Sequence, residues 1–309
     1  MDGVMDMKRL GRRALFLALA GVMGAMLIWP GAVRAAVAEG VALCLGTAIP
    51  SLFPFFVVSS LLIDLGYAQA LGRRLAGVMG PLFSLSGSAA AAVVLGAVGG
   101  YPVGADAARR LWEQKAITRE EAGRLLGFCN NGSPAFAVSV LGAGVFHSAR
   151  AGLWLWGIHI VSALLTGVLL RRRGKAGVHR AVPPLTRPLP FSQALIHSAA
   201  GAARSMVGVC AFVLLFSVAV MPLKPIGGQM GAAITSFVEL FNGAARLRGT
   251  SDAFPLAAAL LSWGGLSVHC QTLSVTPGLS HRWYWQGKVL QCLLSFLLAY
   301  LLKSSFAAC

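Results

Sequence analysis

Acidic residues are scarce in this chain. Ten Asp and Glu stand among 309 residues, and charged residues of both signs make up only 12%. Soluble domains carry about 25%, so a water-facing globular fold is excluded. Alternating apolar and polar segments of about ten residues are absent as well, which excludes a transmembrane barrel. Cysteine is sparse: Cys44, Cys129, Cys210, Cys270, Cys292 and Cys309 form no CxxC pair. No disulfide framework and no metal site follow from that spacing, and most of the six sit in apolar runs as small hydrophobes. The motifs HExxH, GxSxG, GxGxxG and the phosphate-binding P-loop are all missing, and His147 and His159 lack helical ligand spacing. The chain reads as a non-enzyme without cofactor or metal.

What is present is long apolar sequence, 57% hydrophobic overall. Ala14–Val33, Gly40–Ile63, Leu75–Ala105, Leu125–Ala149, Ala151–Leu170, Ser205–Leu223 and Ala253–His281 are free of Asp, Glu, Lys and Arg. About 20 apolar residues cross a bilayer core as a helix. The fold class is therefore all-α, a polytopic membrane protein. The net charge of +16 collects in loops: Lys8, Arg9, Arg12 and Arg13, then Arg171, Arg172, Arg173, Lys175, Arg180 and Arg187. That is the positive-inside pattern of a multi-pass protein. A nucleic-acid surface would need a soluble basic domain interleaved with aromatics, and none exists, so the bilayer and a small molecule are the expected partners. A homo-oligomer is left open.

Four stretches divide the chain. Residues 1–35 hold an N-terminal transmembrane segment, whose apolar run is long for the h-region of a cleaved signal peptide. Residues 36–170 form a first helical half, 171–190 a basic Pro-rich cytoplasmic linker, and 191–309 a second helical half. Within the first half, Pro50 and Pro54 predict either a kink or a helix restart. Asp106–Phe128 reads as two short amphipathic helices jointed at Thr118, where Thr118 and Glu121 fit a capping box. Its charges read as a solvated face. Val289–Leu302 reads as the last span.

Polar breaks interrupt the apolar runs. Gly99-Gly100-Tyr101-Pro102 closes one, and Asn130-Asn131-Gly132-Ser133-Pro134 opens another. In the second half, Gly264-Gly265 closes a short run and leads into Ser267, His269 and Gln271, while Asn242-Gly243 marks a further break. Hydrocarbon gives freed backbone groups no water partner, so such breaks are tolerated where protein or a wet cavity satisfies them. Paired discontinuous helices mark transporter binding sites. Inverted-repeat halves fit this pattern, whereas the differing order of features argues against a simple tandem repeat. The candidate substrate-binding residues are Gly99, Gly100, Tyr101, Pro102, Asn130, Asn131, Ser133, Asn242, Ser267, His269 and Gln271. Half-helix N-termini at these breaks suit a carboxylate. Glu239, set among Phe237, Val238, Leu240 and Phe241, is the ion-coupling candidate, for H⁺ or Na⁺. The alternative places it solvated at the membrane interface.

The stretches Gly99–Ala105, Ile117 with Glu121-Ala122, and Asn130–Phe136 resemble the YlbJ-type sporulation integral membrane proteins, which carry the nucleoside-recognition, or gate, domain. Pro50–Phe55 and Gly264–Gln271 are similar to the same family in the same order. The resemblance implies a membrane protein of spore formers that moves dipicolinic acid, a small aromatic dianion, across the outer forespore membrane. The gate domain also occurs in nucleoside transporters and ferrous-iron transport proteins. A nucleoside transporter and a non-transporting scaffold for spore-envelope assembly are the alternatives.

Overall fold

The computed structural model describes residues 16–17, 20–171, 189–250 and 252–307. Residues 172–188, which make up most of the linker, and 1–15 and 18–19 of the N-terminal segment lie outside them. No strand occurs among the described residues. Five helices there are long and apolar enough to cross a membrane. They are Pro30–Ala48, Ala149–Leu169, Phe191–Ala219, Ala253–Val275 and Arg282–Lys303.

The first half begins with α1 (Pro30–Leu43), a π-helical turn (Cys44–Ala48) and α2 (Ile49–Asp64). Pro50 sits in the first turn of α2 and Pro54 lies inside it. Proline offers no N–H to the carbonyl four residues back. Pro50 thereby releases Gly46, and the widened turn falls there; both sequence readings hold in part. Next, α3 (Tyr67–Phe83) ends at Ser84, whose φ is 51°. The chain re-enters at 97° to α3 as α4 (Ala90–Gly99). A tip at Gly100 (φ 82°) and a cis Tyr101-Pro102 bond turn it into α5 (Val103–Glu113). The ten-residue run is thus one arm of a re-entrant hairpin.

Helix α6 (Arg119–Leu125) starts with the expected capping box, Thr118 accepting from Glu121 N–H and Glu121 accepting from Thr118 N–H. Its charges do more than face water. Glu121 accepts from Ser86 N–H at 2.7 Å, buried Arg124 donates to the Phe83 and Ser84 carbonyls at 2.6 Å each, and Arg119 donates to Gly278 O. They tie this amphipathic pair to three neighbouring elements. A second π-helical segment (Phe136–Val145) follows, and then α7 (Ala149–Leu169), capped by Ser148.

The second half holds α8 (Phe191–Ala219), α9 (Gly228–Val238), α10 (Leu240–Arg246), α11 (Ala253–Trp263), α12 (Gly265–Val275) and α13 (Arg282–Ala307). Two expectations are corrected here. The break in the α9–α10 pair falls at Glu239, and Gly243 lies inside α10 against Ser236. Glu239 makes this break because its carboxylate caps α10. The last helix begins at Arg282, so Lys288 is drawn into the bundle. α13 packs mainly on α11 and α7, and α2 on α8.

Helix α7 runs 21 residues, about 31 Å at 1.5 Å per residue, and separates two ends of the molecule. At its Arg171 end, Arg171 reaches the Pro81 carbonyl, beside the α3–α6 contacts above. At its Arg150 end, Arg248 reaches the Gly144 carbonyl, and Lys224–Glu39 and Lys303–Asp252 form ion pairs nearby.

Candidate functional site

Each half contributes two broken elements that cross at a glycine. In the first half, the hairpin tip lies against the Asn130–Pro134 break: a Cβ on Gly100 would fall 2.6 Å from Ser133 Cβ. In the second, the α11–α12 break lies against the α9–α10 break: a Cβ on Gly265 (φ 79°) would fall 3.1 Å from Glu239 N and Cα. Only glycine gives both the positive φ and the close approach at these two points.

Where α11 stops at Gly264 (φ 83°), its last carbonyls lose helical partners. The Tyr101 hydroxyl donates to Leu261 O at 2.8 Å, and so the first-half tip caps a second-half helix. Lys288 completes the joint. Its ammonium donates to Asn130 O at 2.7 Å and Gln291 Oε1 at 2.8 Å, and approaches Ser262 O at 3.3 Å and the Tyr101 oxygen at 3.4 Å. The ammonium also stands 5.0 Å over the Tyr101 ring. Lys288 is fully buried, and no carboxylate pairs with it among the described residues.

The network continues in a consistent hydrogen-bond sense. Gln291 Nε2 donates to Asn131 Oδ1 at 2.9 Å, and Asn131 Nδ2 donates to Phe128 O at 2.9 Å. Gly132 N–H donates to His159 Nε2 at 3.0 Å, which places the ring proton on Nδ1, 2.8 Å from Ser262 Oγ. Ser262 then donates to Ser295 Oγ at 2.5 Å. Asn130 Nδ2 donates to Thr272 Oγ1 at 2.7 Å. At the Asn130–Pro134 break, side chains of α7 and α13 thus meet freed backbone, His159 at Gly132 N–H and Lys288 at Asn130 O, as backbone freed inside a membrane requires.

In front of this network lies a small central cavity of about 30 Å³, roughly the space of one or two water molecules. Tyr101, Ser133, Glu239, Ser267 and Gln271 line it, with Phe136 and Phe241 on its apolar side. Of the sequence candidates, the structure brings Tyr101, Ser133, Ser267 and Gln271 together with Glu239. Gly100 positions the tip and Gly99 packs on Val103. Pro102 lines an outer vestibule. Asn130 and Asn131 point into the Lys288 network, and Asn242 caps the Glu239 carboxylate through its backbone N–H and Nδ2 at 2.6 and 2.8 Å. His269 is turned away from the cavity, bonded to the Tyr284 hydroxyl at 2.6 Å and edge-on to Trp263. Glu239 is fully buried rather than solvated.

Two larger recesses adjoin this centre. At the Arg171 end, a vestibule of about 320 Å³ is lined by Asp106, Arg109, Arg110 and Arg204, with Val209 and Gln271 at its floor. Val209 and Gln271 are also walls of the central cavity. Asp106 holds Arg109 at 2.7 Å and Arg110 at 2.6 Å, whereas Arg204 makes no hydrogen bond or ion pair among the described residues. Glu113, outside the lining, also pairs with Arg109, so three cations stand against two carboxylates and leave one positive charge in excess. At the Arg150 end, a recess of about 700 Å³ is lined by Thr47, Pro50, Ser139, Phe241 and Arg248. Phe241 is shared with the central cavity and meets Phe136 edge to face at 5.1 Å. One small centre thus stands between two larger recesses, with Gln271 and Val209 shared on one side and Phe241, packed on Phe136, shared on the other.

Sequence reasoning missed Lys288, Gln291, His159, Arg204 and Tyr284. A signal was available for most of them: Tyr284, Lys288, Gln291 and Ser295 recur at helical spacing and are all fully buried. His159, Ser162 and Thr166 repeat the pattern on α7.

A model of the Gate family, described as nucleoside recognition, matches residues 45–148. That range contains the hairpin tip, the Asn130–Pro134 break and the second π segment. Sporulation integral membrane protein YlbJ of Bacillus subtilis (strain 168) is 30% identical over 190 residues, which is 62% of this chain and 43% of that protein. The chain therefore matches less than half the length of that relative. No solved structure matches it. With apolar spans, re-entrant breaks and a Gate match that covers the first-half crossing, this multi-pass membrane protein resembles the sporulation integral membrane protein YlbJ over the matched part of its length.

Proposed function

We propose that the protein carries a small aromatic carboxylate, dipicolinate, across the outer forespore membrane during sporulation. The observation that supports this reading is the vestibule with three arginines, whose floor, Gln271 and Val209, is also the wall of the small central cavity. A space of about 320 Å³ lies at the lower end of small-molecule sites. Arg204 is exposed and has no protein partner among the described residues, so its guanidinium is free to meet an anion in the vestibule. Arg204 lies one and a half turns from Val209 on α8, about 7.5 Å along the axis, so an anion held there stands at the door of the centre. The basic loops assign this end to the cytoplasm, here that of the mother cell, where the substrate would load.

The central cavity is too small for the anion, so the conformation described is occluded at its centre. Passage needs the Gln271–Val209 wall and the Phe136–Phe241 pair to open in turn. The glycine crossings at Gly100 and Gly265 let each pair of broken elements move as a unit.

The test is uptake of dipicolinate and of uridine by proteoliposomes holding the purified protein. Dipicolinate is expected to move. Uridine flux alone would favour the nucleoside reading, which the description of the Gate family supports but which gives the charge of Arg204 no use. If neither moves in either direction, the transport reading falls and a scaffold remains. Arg204→Ala is expected to raise the dipicolinate KM about tenfold or more, since a hydrogen bond to a charged group contributes roughly 1.5–3 kcal/mol. A KM within twofold of the unmodified protein would remove Arg204 from the path.

A further inference from the structure

The central cavity is bracketed by two ionisable groups that do not touch each other. Glu239 lines it directly; Lys288 stands behind the Tyr101 hydroxyl, which lines it too. No Lys or Arg pairs with Glu239 among the described residues. Its partners are neutral donors: Asn242 through two N–H groups, and Ser267 Oγ at 3.5 Å on the cavity side. The other titratable groups that face it are Tyr101 from the tip and Cys44 from the first π segment, with Cys210 of α8 beside Cys44. His269 on α12 is turned to Tyr284. Arg246 on its own helix is turned to the carbonyls of Leu223, Lys224 and Ile226. Nothing in this shell carries a positive charge toward the Glu239 carboxylate except Lys288, through Tyr101.

We propose that an anion passes this centre only together with a proton carried on Glu239. The inference rests on the anion-transport reading above. Before the anion arrives, the Glu239 carboxylate and the Lys288 ammonium balance one another across the cavity. An arriving carboxylate takes the Tyr101 side, facing Lys288, and stands opposite Glu239. Two like charges in a space walled by apolar side chains repel strongly. Glu239 therefore binds one proton from the side the anion came from, which offsets one of the two charges of the dianion and removes the repulsion from Glu239, and the proton leaves to the far side with the anion. The weak contact to Ser267 keeps Oε1 on the cavity side, where a proton can reach it, while Oε2 stays fixed by Asn242.

The experiment uses the full chain in proteoliposomes loaded with a pH-sensitive dye, with the membrane voltage clamped and dipicolinate as the probe. Counterflow of labelled dipicolinate first establishes transport. External dipicolinate is then expected to draw protons inward, and an acid-outside gradient to concentrate dipicolinate about tenfold per pH unit for one proton. In Glu239→Gln, any flux that remains is expected to carry no proton. The proposal is overturned if counterflow occurs without proton movement, if a Na⁺ gradient drives accumulation and a pH gradient does not, or if Glu239→Gln keeps the wild-type proton-to-anion ratio. Should Glu239→Gln be inactive, the pH-gradient result on the unmodified protein decides alone. Absence of counterflow would overturn the transport reading, and this inference with it.

Discussion

Lys288→Met is expected to be among the most damaging single substitutions in the second half. Methionine matches the length of lysine and fills its space, so the effect isolates the ammonium. Its loss leaves Asn130 O and Gln291 Oε1 without their donors and Ser262 O with a weaker environment. A buried acceptor left unpaired costs about 1–3 kcal/mol, and water cannot replace the donor inside the bundle. The summed loss is about 3 kcal/mol or more. The check is thermal unfolding in detergent, followed by the exposure of the buried Cys129 thiol. The second reading is a cycle with Gln291→Leu: residues in one network couple by about 0.5–3 kcal/mol, so the double variant should be less unstable than the sum of the two. A wild-type midpoint for Lys288→Met, or strict additivity in the cycle, would show that the ammonium does not hold the breaks together.

How much of this was legible in the sequence follows from what each signal depends on. Apolar run length depends on neighbours in the chain, and it found the apolar stretches of the spans from Ala149 onward, the hairpin arm and the Gly264 break, whereas the first span described is Pro30–Ala48 rather than one within Ala14–Val33. The capping box at Thr118 and Glu121 is equally local and appeared where the spacing put it. Lys288 was obscured by the same method, because counting apolar residues begins the last span at Val289, one residue too late. Its burial is visible only when polar positions are counted at helical spacing, from Tyr284 through Lys288 and Gln291 to Ser295. Glu239 shows a different limit. The Asn242-Gly243 pair looks like the breaker, yet the break lies at Glu239 because Glu239 reaches forward to cap α10 and Gly243 serves as a packing contact for Ser236. Arg204 was passed over because it borders an apolar run, and only the tertiary placement of α5 beside α8 makes it the third arginine of a vestibule.

Gly104→Ala is the second substitution expected to have a large effect, and its cause is wholly non-local. The carbonyl of Cys129 is inserted between α4 and α5. A Cβ on Gly104 would lie 1.9 Å from Cys129 O, and one on Gly96 would lie 1.8 Å from the same atom. The obstacle is backbone on both sides, and Cys129 is further held by its Sγ contact to Gly104 O at 3.4 Å. Overpacking costs about 1–3 kcal/mol where side chains can shift, so about 3 kcal/mol or more is expected here, or a failure to reach the folded state. Gly157→Ala on α7 is the matched comparison, since a Cβ there meets nothing within 4 Å; it should leave unfolding unchanged or slightly later, as alanine favours helix. Yield of monodisperse protein and the unfolding midpoint read both variants, and equal midpoints for the two would refute the close contact. On the proposed transport reading, the contact bears on function as well as stability. With the Cys129 carbonyl wedged between two glycines, the hairpin and the Asn130–Pro134 break form one body. Tyr101 and Ser133 can then move relative to Glu239 and Ser267 only when the whole first-half crossing moves, so opening the central cavity is a displacement of one crossing against the other.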